Sequence, residues 1–140
     1  IAKFMPPLEL SAPIAIGSRE APGAVRYDEP QYRHIIGRIF NWLVRTLLNL
    51  DLYDTQCGFK LFREDTVNAI FPQLTITGWT FDVEALFIAQ KMGFKIVEIP
   101  INWYHHSHST VRVIRDSFRM GLDLIKIRLN ELQGKYHAKT

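Results

Sequence analysis

Gly17-Ser18-Arg19, at the end of a short β-branched run, is the first point in this 140-residue chain where residue types suited to chemistry stand together. Backbone N–H groups at a turn, a hydroxyl and a guanidinium suit phosphate oxygens, which arginine bonds in a bidentate fork. The same arginine would serve as a salt bridge capping the end of a sheet. Asp82 and Glu84 form an acidic pair two residues apart. On a helix such residues point about 200° apart and do not chelate one ion from one face. Either acid alone would serve as a general base, or would favour a helix N-terminus electrostatically. His105, His106 and His108 invite a zinc reading, but two imidazoles on one face of an extended segment make an incomplete site, and a solvated loop is the simpler account. Cys57 is the single cysteine, so it forms no internal disulfide and belongs to no CxxC pair. It reads as a small buried hydrophobe in a reducing, cytosol-facing setting.

Around these groups the chain has the means to build a core. Its 47% hydrophobic and 12% aromatic content suits one globular unit and argues against disorder. Although the net charge is only +3, Arg19, Arg26, Arg33, Arg38 and Arg45 precede the Cys57 segment and Arg112, Arg115, Arg119 and Arg128 follow it. Such clustering favours anionic partners, meaning phosphates or acidic lipid. The modest charge and the lack of an aromatic platform motif argue against nucleic acid. No apolar run approaches the roughly 20 residues needed to cross a bilayer. The chain opens on Ile1 with "AKFMPPLEL", which has neither a charged n-region nor a long apolar h-region, so it reads as a piece of a longer protein rather than a signal peptide.

The elements that must position the candidates follow from periodicity. Residues 14–16 read as a buried strand that stops at Gly17, and "APGAVRYDEP" as a mobile loop. Over 31–50, Ile35, Ile36, Ile39, Phe40, Leu43, Leu47 and Leu48 recur at helical spacing, with Arg33, Arg38 and Arg45 on the polar face. "CGFKLF" reads as a strand, with Phe59 and Leu61 on one face, Lys60 and Phe62 on the other, and Gly58 at a bulge or close backbone approach. "REDTVNAIFPQL" forms a short helix that Pro72 ends. "TFDVEALFIAQKMG" has a Thr start, acids in its first turn, apolar Phe81, Ala85, Ile88 and Met92, and a closing Gly93. "FKIVEIPINWYH" is a strand that Pro100 confines to an edge or bulge. A last amphipathic helix, about 111–132, carries Ile114, Phe118, Leu122, Ile125, Leu129 and Leu132 on one stripe flanked by basic residues. This stripe suits either a core or the surface of an anionic membrane. The order of elements predicts an α/β fold with a mixed sheet and flanking helices. So small a sheet has open edges, which a missing portion of the domain or a homodimer would cover.

Taken together, "AIGSRE", "DTQCGFKLF", "WTFDVEALFIAQKMGFKIVEIPINW" and "DSFRMGLDLIKIRL" resemble the C-terminal half of the family 2 glycosyltransferases that glycosylate polyprenyl phosphates, nearest in pattern to those that load glucose or mannose onto dolichyl phosphate. The likeness runs from about residue 14 onward, in order and with similar spacing. It implies that residues 1–140 are the acceptor-side part of a GT-A domain. It also implies an inverting transfer of a hexose from a nucleotide sugar, of the UDP-glucose or GDP-mannose type, to a lipid phosphate at the cytosolic face of a membrane. The family's D-x-D motif for a divalent metal, Mg or Mn, and its base-binding residues lie in the other half, so the resemblance implies a fragment inactive alone, with no metal ligand of its own. By similarity, Ser18 and Arg19 sit on the family's Gly-Ser-Arg turn, and residues 20–33 correspond to the acceptor loop, which adds Arg26 and Arg33 to the substrate-binding set. Asp54 and Gln56 complete it as residues near substrate. The mannose-transferring members carry a lysine after the last strand where this chain reads "HSHSTVR", with Arg112 as its one candidate replacement.

A phosphate acceptor is already an anion near neutral pH and needs positive charge more than a base. A second reading keeps the fold but takes a saccharide or protein hydroxyl as acceptor, with Asp82 or Glu84 as base. A third is a non-catalytic module that binds lipid phosphate or membrane.

Overall fold

The computed structural model describes residues 12–104 and 113–137, with the side chains of 113 and 114 left aside. Its elements are β1 (Ile14–Ser18), β2 (Val25–Tyr27), α1 (Gln31–Leu48), β3 (Lys60–Phe62), α2 (Glu64–Ile70), α3 (Phe81–Lys91), β4 (Ile96–Pro100), β5 (Asn102–Tyr104) and α4 (Val113–Leu132). β1 is the middle of a three-stranded sheet of order β3-β1-β4, antiparallel to β3 and parallel to β4. The sheet is therefore mixed, as the sequence predicts.

Successive residues of a strand face opposite sides, and β1 uses both. Ile14 and Ile16 are fully buried in the main core with Phe40, Val44 and Leu48 of α1, Leu86 and Ile88 of α3, and Leu124 and Ile127 of α4. On the other side, Ala15 packs with Ile99, Val97 and Ile101. Each large aliphatic side chain so buried contributes roughly 1.5–3 kcal/mol, and β1 is thereby fixed from both faces with its end at Ser18. α3 is buried over Val83–Ala89 without interruption, which removes any clear apolar stripe, as expected of a helix surrounded by protein.

Several boundaries differ from the sequence reading, for local reasons. β1 runs through Gly17, which pairs with Ile99. A Cβ at Gly17 would meet Cys57 Sγ at 3.2 Å and Ile101 at 3.4 Å, so close packing rather than a turn requires glycine there. Gly58 has open space around it, so the expected close approach lies at Gly17 instead. The predicted loop after β1 contains β2, which pairs in parallel with β5 and stacks Tyr27 on Tyr104 with ring centroids 4.6 Å apart. Pro100 ends β4 and the chain continues into β5 in this second, two-stranded sheet, so one predicted strand is two. Pro72 stands in a 3₁₀ turn over Phe71–Gln73 that follows α2. Gly93 closes α3 with a φ of +75°, a conformation that favours glycine.

Candidate functional site

The segment "DTQCG" is clamped from three sides. Asn41, on the buried face of α1, donates through Nδ2 to the carbonyls of Leu52 and Tyr53, both at 3.0 Å, and its Oδ1 accepts from the Thr55 hydroxyl at 3.1 Å. Glu98 of β4 accepts the N–H groups of Tyr53 at 2.8 Å and Asp54 at 3.0 Å. Asp54, 3% exposed, takes Arg19 in a bidentate pair, Nε to Oδ2 at 2.7 Å and Nη2 to Oδ1 at 3.0 Å, and also accepts the backbone N–H of Arg19. Gln56 N–H completes the set on Oδ1 at 3.0 Å. Burial alone would raise the Asp54 carboxyl, but the hydrogen bonds and charge of Arg19 outweigh it and hold the group below its ordinary value. Arg19 is raised despite its own burial, through the same pair. Its guanidinium lies 5.3 Å from the centre of the Trp103 ring, within cation–π range.

This clamp forms the floor of a cleft of about 880 Å³. Its lining includes the charged or titratable Glu20, Arg26, Glu29, Arg33, His34 and Arg38. Arg26 pairs with both Glu20 and Glu29. Arg33 has no carboxylate partner among the described residues and donates through Nε to the Tyr32 hydroxyl at 3.4 Å. The lining also includes the aromatic Phe62, Phe71, Trp79 and Phe81. Lys60, its side chain 6% exposed, bonds Asp82 Oδ2 at 2.6 Å and the Cys57 carbonyl. The other oxygen of Asp82, Oδ1, is buried without a hydrogen-bond partner among the described residues.

The residues read from the sequence divide as follows. Arg19, Arg26, Arg33, Asp54, Gln56 and Asp82 all line the cleft. Arg19 does so while locked in its salt bridge, the structural role weighed for it above. Ser18 is fully buried, and its Oγ accepts the N–H of Ala21 at 2.9 Å, which turns the chain after β1. Glu84 is fully buried away from the cleft lining and accepts from Thr75 N–H, the Thr75 hydroxyl, Ile76 N–H and the Tyr136 hydroxyl. Asp82 and Glu84 thus point to opposite sides of α3, as their spacing requires. Cys57 is buried under Gly17, and burial pushes its thiol pKa up, against a nucleophile. His105, His106, His108 and Arg112 lie outside the described residues.

Comparison with known proteins supplies an independent finding. The chain is 46% identical over 127 residues to the dolichyl-phosphate β-glucosyltransferase of Saccharomyces cerevisiae, covering 88% of this chain and 37% of that protein. It is 40% identical over 108 residues to the enzyme of the same name from Dictyostelium discoideum, covering 77% and 33%. The chain is a homologue of a segment of the dolichyl-phosphate β-glucosyltransferases. Glycosyltransferase AglD of Haloferax volcanii is 37% identical over 112 residues, covering 80% of this chain and 18% of that protein. No family model matches. The chain spans about a third of the length of these β-glucosyltransferase relatives.

Within this glucosyltransferase-like segment, the cleft residues that the sequence reading missed include Glu20, Glu29, His34, Lys60, Trp79 and Trp103. Only indirect signals mark them or their supports. Asn41 and Glu98 are polar residues inside apolar runs, the pattern of a buried polar group that must find a partner.

Proposed function

We propose that this chain is the acceptor-binding part of an enzyme that transfers glucose from a nucleotide sugar to dolichyl phosphate. The observation that carries the reading is the mixed lining of the cleft in a homologue of dolichyl-phosphate β-glucosyltransferases, which brings basic groups together with the aromatic side chains of Phe62, Phe71, Trp79 and Phe81. That lining suits a phosphate attached to an apolar chain. An anionic acceptor needs alignment and neutralisation in a partly desolvated site, and Arg33 is the cleft arginine free of a carboxylate among the described residues. The nucleotide sugar, and the divalent metal that the family resemblance implies, would be held by residues outside this chain. Among the described residues, no three His, Cys, Asp or Glu side chains stand together to hold a metal ion.

The acid that would serve a hydroxyl acceptor is poorly placed. Lys60 occupies Asp82 Oδ2, and Oδ1 is buried, so neither oxygen is presented to an incoming hydroxyl. Glu84 is fully engaged in the core. A phosphate acceptor requires neither acid as base.

The proposal includes a membrane surface for the acceptor. Tyr32, Ile35, Ile39 and Trp42 of α1, and Phe118, Leu122, Ile125, Leu129 and Leu132 of α4, form two exposed apolar stripes at helical spacing. Among the described residues no helix is long and apolar enough to cross a membrane.

The test is transfer of labelled glucose from UDP-glucose to dolichyl phosphate by the full-length protein in membranes. Arg33→Ala should raise the KM for dolichyl phosphate about tenfold or more. Transfer by Arg33→Ala at the wild-type KM would remove Arg33 from the acceptor site. A loss of 10²- to 10⁴-fold in Asp82→Asn, the scale of general-base catalysis, would favour the hydroxyl-acceptor reading.

A further inference from the structure

Two carboxylates in the cleft hold arginines, and they hold them differently. Asp54 grips Arg19 at 3% exposure with its own position fixed by Gln56 and Glu98, so that pair is part of the floor. Glu20 is the centre of a looser cluster in the segment between β1 and β2. Its Oε1 accepts from Arg26 Nη2 and lies 3.1 Å from His34 Nε2, and its Oε2 lies 3.6 Å from Arg38 Nη1. The His34 and Arg38 side chains are 43% and 46% exposed, and Glu20 itself is 17% exposed at the cleft wall. Its backbone is tied nearby through a long N–H contact of 3.4 Å to Ser18 Oγ.

Three basic side chains from two elements therefore converge on one point, and an anion occupies that point. A carboxylate between an arginine fork and an imidazole takes the donors that a phosphate takes, with fewer oxygens and less charge. Arg26 also has a donor that the cluster does not use. Its Nη1 is held by Glu29, but its Nε is buried with no acceptor among the described residues, a state that an additional oxygen would relieve.

We propose that Glu20 is a displaceable internal anion, which holds Arg26, His34 and Arg38 together until the phosphate of a phosphate monoester takes its place among them. The inference rests on the phosphate-acceptor reading above and adds a binding point and an occupant for it. The His34 and Arg38 contacts are half-exposed and weak in water, so releasing Glu20 gives up mainly its pair with Arg26, which the incoming phosphate replaces. A dianion with three free oxygens gains more from the same donors.

The experiment is a calorimetric titration of the full-length protein with inorganic phosphate and, separately, with farnesyl phosphate below its micellar concentration. Glu20→Gln removes the competing charge and keeps the side-chain shape, so it should tighten phosphate binding about fivefold to tenfold. Arg26→Ala introduced into Glu20→Gln should abolish that gain. A gain for both ligands supports the displaceable anion. A larger gain for farnesyl phosphate supports it as well, with a lipid headgroup as the occupant. Unchanged or weakened binding in a folded Glu20→Gln overturns the proposal, because Glu20 would then be a prop for the arginines. Should Glu20→Gln fail to fold, the wild-type chain decides: phosphate should shift the side-chain Nε–H resonances of Arg26 and Arg38, and unmoved resonances overturn the proposal. Glucose transfer is not read in these titrations, so the anion site and the acceptor reading stand or fall separately.

Discussion

Arg19 and Asp54 show how a residue that looks built to bind a ligand is first used to build the site. Their pair joins the end of β1 to the segment before β3, and every oxygen of Asp54 is engaged. Removing one partner of such a buried pair leaves an uncompensated charge. Asp54→Ala should therefore cost about 3–5 kcal/mol in urea unfolding, and a double-mutant cycle with Arg19→Ala should show strong coupling between the two. The pH dependence has a fixed sign. The folded carboxyl lies below its ordinary value of 3.8, so its contribution is present in full above that value and is lost as the pH falls through the folded value. In acid unfolding, wild type should thus lose stability below pH 3.8 that Asp54→Asn never had. Equal acid sensitivity of the two proteins would remove Asp54 from this role.

At the scale of elements, Glu84 ties α3 to the segment at 75–76 and to Tyr136 beyond α4. Burial, and then the hydrogen bond to Glu84, push the Tyr136 hydroxyl up from 10.0 to about 12. The folded state therefore prefers the protonated phenol. Its stabilising effect is whole below pH 10 and is lost as the pH rises from there toward about 12. Tyr136→Phe should cost about 1–2 kcal/mol at neutral pH and abolish that alkaline loss, read by urea unfolding at a series of pH values. The helices of this arrangement were legible because apolar spacing, Gly93 and the proline-free run of α1 are local signals. β2 was not legible, since three residues between turns carry no periodicity and acquire strand geometry only by pairing with β5. The site was half legible for the same reason. Arg19, Asp54 and Asp82 stand in motifs, but Glu20 gains its meaning from Arg26, His34 and Arg38, which only the fold brings to it.

For the molecule as a whole, the apolar stripe read on the last helix does not build the core. α4 buries Met120, Leu124 and Ile127 and turns Phe118, Leu122, Ile125, Leu129 and Leu132 outward, with Arg119 and Lys126 exposed beside them. α1 packs against α4 and exposes its own stripe, with Arg38 and Arg45 exposed alongside. Apolar side chains flanked by basic ones are the composition of a surface that lies on anionic lipid, where the former enter the acyl boundary and the latter meet the headgroups. The chain should therefore float with vesicles containing phosphatidylserine, and binding should fall as salt rises, because screening acts on the headgroup contacts. Leu122→Glu combined with Ile125→Glu places charge in the stripe without touching the core, so the fold should survive while flotation is lost. Arg119→Glu with Lys126→Glu should weaken flotation on anionic vesicles and leave the unfolding midpoint nearly unchanged. Self-association in solution that disappears with Leu122→Glu, with no flotation in wild type, would instead assign the stripe to a second copy of the chain. That result would move the lipid from the surface of the helices to the cleft alone.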